Sequence, residues 1–294
     1  FVDQRDALHQ RVVARRALER ALAADPRLEV TVYYAMVPDA AAQGAGFGVA
    51  FEWDVPLLEG YRHELLRNRA RRPSVTRFGG CDTPELFRRF RAMRPDAVLV
   101  NGWVVKTCLQ ALAACRRLGV PCLVRGESNL LRPRARWKHA LHRLLLRQYH
   151  AYLAIGSANR EFYRFHGCPD DRIFFAPYAV DNDRFAAAAA ASAGRRAELR
   201  AAFGLPPDAM VFLFAGKLEP KKRPGDLIEA LTLLPAGLCD RACALVAGDG
   251  PLRAVCERLA RERKVAAVFA GFLNQSRMPD AYAAADVLVL PSDA

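Results

Sequence analysis

The sequence has no run approaching the ~18 apolar residues needed to cross a bilayer. Its first 30 residues are charged throughout, unlike a secretory leader. A cytoplasmic location is expected on both grounds. There is no Cys-x-x-Cys pair and no Cys/His cluster at zinc spacing, although cysteines stand at 81, 108, 115, 122, 168, 239, 243 and 256. Buried thiols in a reducing compartment are expected instead, with Cys108 and Cys115 sharing one helix face. No Gly-x-Ser-x-Gly occurs, which argues against a nucleophile-elbow hydrolase. The phosphate-loop pattern Gly-x4-Gly-Lys-Ser/Thr is absent too. No RNA or DNA motif is recognisable and few aromatics interleave the arginines, so no nucleic-acid partner is expected.

What is present suits a globular protein. The 294 residues are 52% hydrophobic and 26% charged, enough for two domains of roughly 100–200 residues each. The chain opens on Phe1 and closes on Pro291-Ser-Asp-Ala294, directly after the apolar run Val287–Leu290. It therefore reads as a fragment. The net charge of +13 is uneven, +12 over residues 1–180 and +1 over 181–294. A basic first half suits an anionic membrane surface or a phosphorylated substrate. It equally suits a composition rich in Arg and Ala in which arginine coats the helices.

Short runs that are apolar along their whole length alternate with helical patterns. Strands are expected at Leu28–Tyr34, Ala97–Val100, Pro121–Val124, Ala151–Ile155, Ile173–Phe175, Val211–Ala215, Ala242–Ala247, Val265–Ala270 and Asp286–Leu290. Such runs fit strands covered on both faces, hence parallel sheets between helices. Helices are expected over Asp6–Ala24, after a threonine cap at Thr83-Pro84-Glu85, and over Val104–Leu118, Arg134–His150, Ser157–His166, Pro224–Leu234, Leu252–Lys264 and Gln275–Ala284. In Arg134–His150 the expected buried stripe is Leu141, Leu144, Leu145 and Tyr149. The pattern predicts doubly wound α/β domains. The boundary falls at Asp181–Pro207, where the alanine run 186–191 is either helical or a low-complexity insert.

Three strand ends carry chemistry. Val211–Ala215 runs into Gly216-Lys217, and Pro220-Lys221-Lys222-Arg223-Pro224 then opens a helix. A glycine there lets backbone approach a ligand, and the helix N-terminus and the lysines favour a diphosphate. Taken alone, the same residues are also a solvated basic turn. The next strand ends in Gly248-Asp249-Gly250-Pro251, which lacks the third glycine of a dinucleotide fingerprint. The third ends in Gly271-Phe272. Three such turns on one sheet edge are far more specific than any one.

At these residues the sequence resembles the retaining glycosyltransferase family 4 (group 1), whose members have the GT-B fold. Gly216-Lys217-Leu218 with Pro220-Lys221-Lys222 is similar to the family's diphosphate loop. Gly248–Pro251 is similar to its Gly-x-Gly-Pro turn, and Ala284–Ser292 to its closing segment. Ala176–Phe185 is similar to its interdomain Pro-x-x-Val-Asp pattern, and Trp53–Tyr61 resembles one subgroup. The resemblance implies two Rossmann-like, doubly wound parallel-sheet domains facing a cleft. These would be an acceptor-binding domain at 1–180, lacking its first strand, and a linker with an incomplete nucleotide-sugar domain at 181–294. It implies Lys217 and Lys222 on the donor diphosphate and Gly216, Gly248, Asp249 and Gly250 lining the nucleotide. Backbone around Phe272, Leu273 and Asn274 would meet the base. The implied activity is transfer of a sugar from a nucleoside diphosphate, a UDP-sugar being favoured, to a hydroxyl of a glycan, lipid or small molecule. Retention, no metal and no cofactor belong to the same implication. The family's Glu-x7-Glu element would begin after Ala294, so the fragment is expected to bind donor weakly and not to turn over.

In the first half, strand Pro121–Val124 leads into Arg125-Gly126-Glu127-Ser128-Asn129. Glu127 is the candidate catalytic group, where many relatives place a histidine, or else it fixes its loop. Arg125 and Asn129 are candidate acceptor contacts, with Arg125 otherwise pairing with Glu127. Asp181-Asn-Asp183 spells a metal-binding Asp-x-Asp, but its context speaks for the interdomain segment. The basic helix Arg132–His150 fits either an anionic membrane interface or a helix packed on its own sheet, the latter being favoured. A nucleotide-sugar epimerase and a non-catalytic nucleotide-sugar-binding module are the alternative functions.

Overall fold

A computed structural model describes residues 18–37, 39–44 and 47–293. Two compact units emerge, one of residues 1–37 and 60–180, the other of 38–59 and 181–294. The second unit thus takes a 22-residue segment from within the expected first domain. The helix expected over Asp6–Ala24 lies mostly outside the described residues, which are helical at 18–24.

The first unit begins with β1 (Thr31–Tyr34), paired in parallel with β2 (Arg62–Leu65). Its main sheet has the order β3 (Val98–Asn101), β4 (Cys122–Gly126), β5 (Ala151–Ala154), β6 (Ile173–Phe175), all parallel. Helices α1 (Leu86–Met93), α2 (Lys106–Leu118), α3 (Arg136–Leu146) and α4 (Ser157–Phe165) join or flank these strands. The expected threonine cap on α1 is not made. Thr83 is buried and its hydroxyl bonds Thr107 Oγ1 at 3.0 Å, while Glu85 takes the N-cap position. Gly119 closes α2 at φ 70°, a left-handed conformation that glycine adopts without a Cβ penalty.

The expected stripe of α3 is half right. Leu145 and Tyr149 face the core and are joined there by Leu146, but Leu141 and Leu144 stand in solvent. The run Leu144-Leu145-Leu146 covers more than half of a helix circumference, so the apolar pattern alone leaves two registers open.

The second unit starts its continuous part with α5 (Asn182–Ala191), which makes the alanine run helical. Asp181 caps it, accepting from the Arg184 N–H at 3.1 Å, so the Asp-x-Asp pattern is a capping device here. After α6 (Arg196–Phe203) comes a parallel sheet whose strands in chain order are β7 (Met210–Ala215), β8 (Ala242–Ala247), β9 (Ala267–Gly271) and β10 (Val287–Leu288). Their spatial order is β10-β7-β8-β9. Helices α7 (Pro224–Thr232), α8 (Arg253–Glu262) and α9 (Met278–Ala284) connect them.

Successive residues of β7 and β8 serve opposite layers. Val211, Leu213, Cys243 and Leu245 enter one core, and Phe214, Ala244 and Val246 the other. β8 is buried along its full length, which is why its sequence is apolar at every position. The order of strands sets β7, β8 and β9 side by side, so their carboxyl-end loops are neighbours.

Candidate nucleotide-sugar site

Backbone, more than side chains, fastens the three loops of the second unit together. The Gly216 N–H donates to the Ala247 carbonyl (2.9 Å) and the Gly248 N–H to the Gly271 carbonyl (2.7 Å). The Leu218 N–H donates to Asp249 O and the Leu252 N–H to Leu218 O, both at 2.9 Å. This lacing requires glycine at two points. A Cβ on Gly248, which sits at φ 145°, would lie 1.9 Å from the Gly216 carbonyl oxygen. One on Gly250, at φ 151°, would lie 2.7 Å from the Leu218 carbonyl oxygen. Only residues without a side chain let these strands finish so close together.

Lys217 is held within this junction. It is only 5% exposed, and its ammonium lies 5.0 Å from the centre of the Phe47 ring. Lys222 ends a single 3-10 turn, Pro220–Lys222. Arg223 follows in the left-handed region at φ 49° and precedes Pro224, the first residue of α7. A non-glycine residue held there stores strain of about 1 kcal/mol or more, a common feature of functional loops. Its guanidinium is ion-paired to Asp226 at 2.6 Å.

Asp249 is organised by Arg253, a residue the sequence reading passed over. Asp249 accepts from the Gly250 N–H (2.8 Å) and from Arg253 Nη1 (2.6 Å). Arg253 Nε also donates to Glu257 (2.8 Å). The bonds to Glu257 and then Asp249 raise the Arg253 pKa further above its already high value. The signal was present: Asp249, Arg253 and Glu257 are spaced four apart across the turn that leads into α8.

Phe272 and Asn274 are engaged by the inserted segment 38–59. The Phe51 ring stacks on Phe272 at 4.0 Å, and Phe47 meets the same ring edge-on at 5.0 Å. Asn274 Nδ2 donates to the Glu52 carbonyl (2.6 Å), and the Ser276 N–H and hydroxyl donate to the Asp54 carboxylate. Leu273 packs into the core beneath. Of the expected donor residues, Gly216, Lys217, Gly248, Asp249 and Gly250 therefore converge on one strand-end junction, and Lys222 ends the 3-10 turn that follows Lys217. Phe272 and Asn274 lie beside it under an aromatic cover. Nothing in the local sequence signals that cover except the spacing of Phe47, Phe51 and Trp53.

In the first unit, β4 ends in Arg125-Gly126 and leads to Glu127. Arg125 is 6% exposed; its guanidinium donates to the Ala176 and Pro177 carbonyls (3.3 and 3.0 Å) and lies 4.7 Å from the Tyr178 ring centre. Asn129 Oδ1 accepts from the Leu131 N–H (3.2 Å), and its carbonyl accepts from Arg134. Asn159 ties the same loop down by donating to Ser128 O at 2.7 Å. Glu127 is half-buried in this framework. Among the described residues, no group of three or more His, Cys, Asp or Glu is arranged to hold a metal ion.

Comparison with known proteins follows this division. Residues 195–294 match the family described as Glycosyl transferases group 1. A curated relative, D-inositol 3-phosphate glycosyltransferase 2 of Catenulispora acidiphila, is 35% identical over 142 residues, covering 45% of this chain and 32% of the relative. The matched stretch thus spans about a third of that relative's length. Among solved structures, Anabaena HepE in complex with UDP and glucose is similar over 96% of this chain and 71% of its own, with a TM-score of 0.63 at 15% identity. WaaG, a glycosyltransferase involved in lipopolysaccharide biosynthesis, is similar over 97% and 71%, with a TM-score of 0.55 at 18% identity. At those identities the likeness is one of fold, and the fold is of the GT-B type.

Proposed function

We propose that the chain is a group 1 glycosyltransferase, the family whose model matches residues 195–294, and that its second unit holds the nucleoside diphosphate of a sugar donor. The carrying observation is the junction of three adjacent strand ends, where Gly216, Gly248 and Gly250 bring backbone together around the nearly buried Lys217. Ligands of open parallel sheets bind outside the carboxyl ends of the strands. A nearly buried ammonium at such a junction attracts phosphate oxygens more strongly than one in water. UDP in a structure of the same fold supports a uridine donor.

Chemistry follows from where charge develops. As the bond from the anomeric carbon to the diphosphate breaks, negative charge grows on the leaving oxygens. Lys217 and Lys222 are proposed to stabilise it without a metal ion, in the manner of a preorganised electrostatic site. Asp249, fixed by Arg253, is proposed to keep the Gly248–Gly250 turn in shape. Phe272, Leu273 and Asn274 are proposed to border the base. In the first unit, Glu127 is the proposed catalytic group, with Arg125 and Asn129 beside it on the acceptor side. Transfer to a hydroxyl of a glycan, lipid or small molecule, with retention, completes the reading. A cytoplasmic place of action at the inner face of a membrane belongs to the proposal as well.

The test replaces Lys217 and Lys222 together by alanine in the full-length protein. Donor consumption should vanish while the circular dichroism spectrum stays that of the parent. Normal turnover in the double variant would overturn the assignment of the loop. Product analysis with and without acceptor separates transfer from isomerisation of the donor by an epimerase.

A further inference from the structure

Helix α3 has two faces, and the core uses only one of them. Leu145, Leu146 and Tyr149 pack into the first unit. His142 lies edge-on to Trp103 and Phe162, and His139 Nδ1 stands 3.0 Å from His166 Nε2. The Tyr152 hydroxyl donates to the Leu146 carbonyl at 2.8 Å, pinning the end of the helix to the sheet.

At about 100° of turn per residue, Trp137, Leu141 and Leu144 share a stripe away from that core. They are 65%, 55% and 64% exposed. Folding gains nothing from three large apolar side chains in solvent, so the stripe calls for another partner.

Charge identifies its chemistry. Arg136, Arg143 and Arg147, all exposed, follow one border of the stripe. Lys138 marks the other, its ammonium 5.5 Å from the Trp137 ring centre. Between Glu127 and Glu161 the chain has no acidic residue. An apolar strip edged by arginine and carrying a tryptophan matches the boundary between headgroups and acyl chains, where the indole and the guanidinium stems both find suitable surroundings. No helix among the described residues is long and apolar enough to cross a membrane, so the geometry is that of a helix lying on a surface. We infer that this face of α3 docks on a bilayer rich in anionic lipid. Trp137, Leu141 and Leu144 enter the interface, and Arg136, Arg143 and Arg147 meet the lipid phosphates. The inference stands on the first unit alone, so it can fail or hold whatever the donor site does.

The test is co-sedimentation of the 294-residue chain with phosphatidylcholine vesicles, with and without about 30 mol% phosphatidylglycerol. Binding should appear only with the anionic lipid and fall about tenfold from low salt to 0.5 M salt. Replacing Trp137, Leu141 and Leu144 together by serine should lower the bound fraction at least about tenfold, with the melting curve unchanged because all three are exposed. The triple change Arg136→Glu, Arg143→Glu, Arg147→Glu should do the same. In the parent, tryptophan emission should shift to the blue on adding vesicles, and Trp137→Phe should bind yet lose that shift. Equal binding to neutral vesicles, or no binding at all, would overturn the inference. So would retention by heparin or RNA that ignores the serine variant, or a dimer in solution that the serine variant dissociates.

Discussion

Substituting Gly248 by alanine tests the junction directly, since the strand-end loops are held backbone to backbone. The new Cβ would start 1.9 Å from the Gly216 carbonyl oxygen, and relief requires the two loops to part by about 1 Å. An L-residue held near φ 145° adds roughly 1–3 kcal/mol of backbone strain. Parting the loops also stretches the Gly216-to-Ala247 and Gly248-to-Gly271 bonds, each worth about 0.5–1.5 kcal/mol net. Together the loss is about 2–6 kcal/mol, a large share of the roughly 5–15 kcal/mol available to an ordinary domain. For a unit of this size each kcal/mol moves the midpoint by about 2–4 °C, so a fall of roughly 4–24 °C is expected in a thermal melt followed by circular dichroism. Gly225→Ala is the internal control. It lies in the first turn of α7, where a Cβ finds its nearest neighbour at 3.5 Å, and alanine there should leave stability equal or raise it by up to about 1 kcal/mol. If Gly248→Ala melted within about 1 kcal/mol of the parent, the close approach of these loops would not be the constraint described.

Two further outcomes follow from the same structure. Burial first, and then the neighbouring His166, lower the His142 pKa from 6.5 to about 4. The unfolded chain therefore binds the extra proton between those values; stability should be complete above about pH 6.5 and fall on acidification towards 4, by up to about 1.4 kcal/mol per pH unit. His142→Leu should flatten that slope in denaturant titrations, and an unchanged slope would contradict the burial argument. Phe272→Ala removes the ring on which Phe51 stacks, at a cost of about 1–3 kcal/mol. Residues 47–54 should then be cut faster in limited proteolysis, and parent-like resistance would show that the aromatic cover is held by something else.

Strands were legible where burial on both faces leaves a continuous apolar run, as in Ala242–Ala247. Among the described residues the one unanticipated strand, Arg62–Leu65, belongs to a two-stranded sheet and is largely exposed, so its sequence carries no such run. The strand-end glycines were legible because their chemistry is local: a turn, a close approach, a following helix. Partners distant in sequence were not. Phe47 and Phe51 reach Phe272 across more than 200 residues, and no periodicity records that. A place at a strand end suggests ligand contacts for Arg125 and Asn129, but it does not reveal what else occupies them, carbonyls at 176–177 and the turn at Leu131. In α3 the ambiguity lay in abundance, since leucines on both sides of the helix allowed two registers and only packing selected one.

The second unit is proposed to grip a nucleoside diphosphate through its three strand ends. Titrating UDP into the isotopically labelled chain, with amide shifts followed by NMR, addresses this most directly. Saturable shifts should centre on Gly216–Leu218, Gly248–Gly250 and Gly271–Asn274, and Lys217→Ala should weaken them strongly without altering the rest of the spectrum. No saturable response to UDP, or one located away from these loops and indifferent to Lys217, would contradict it.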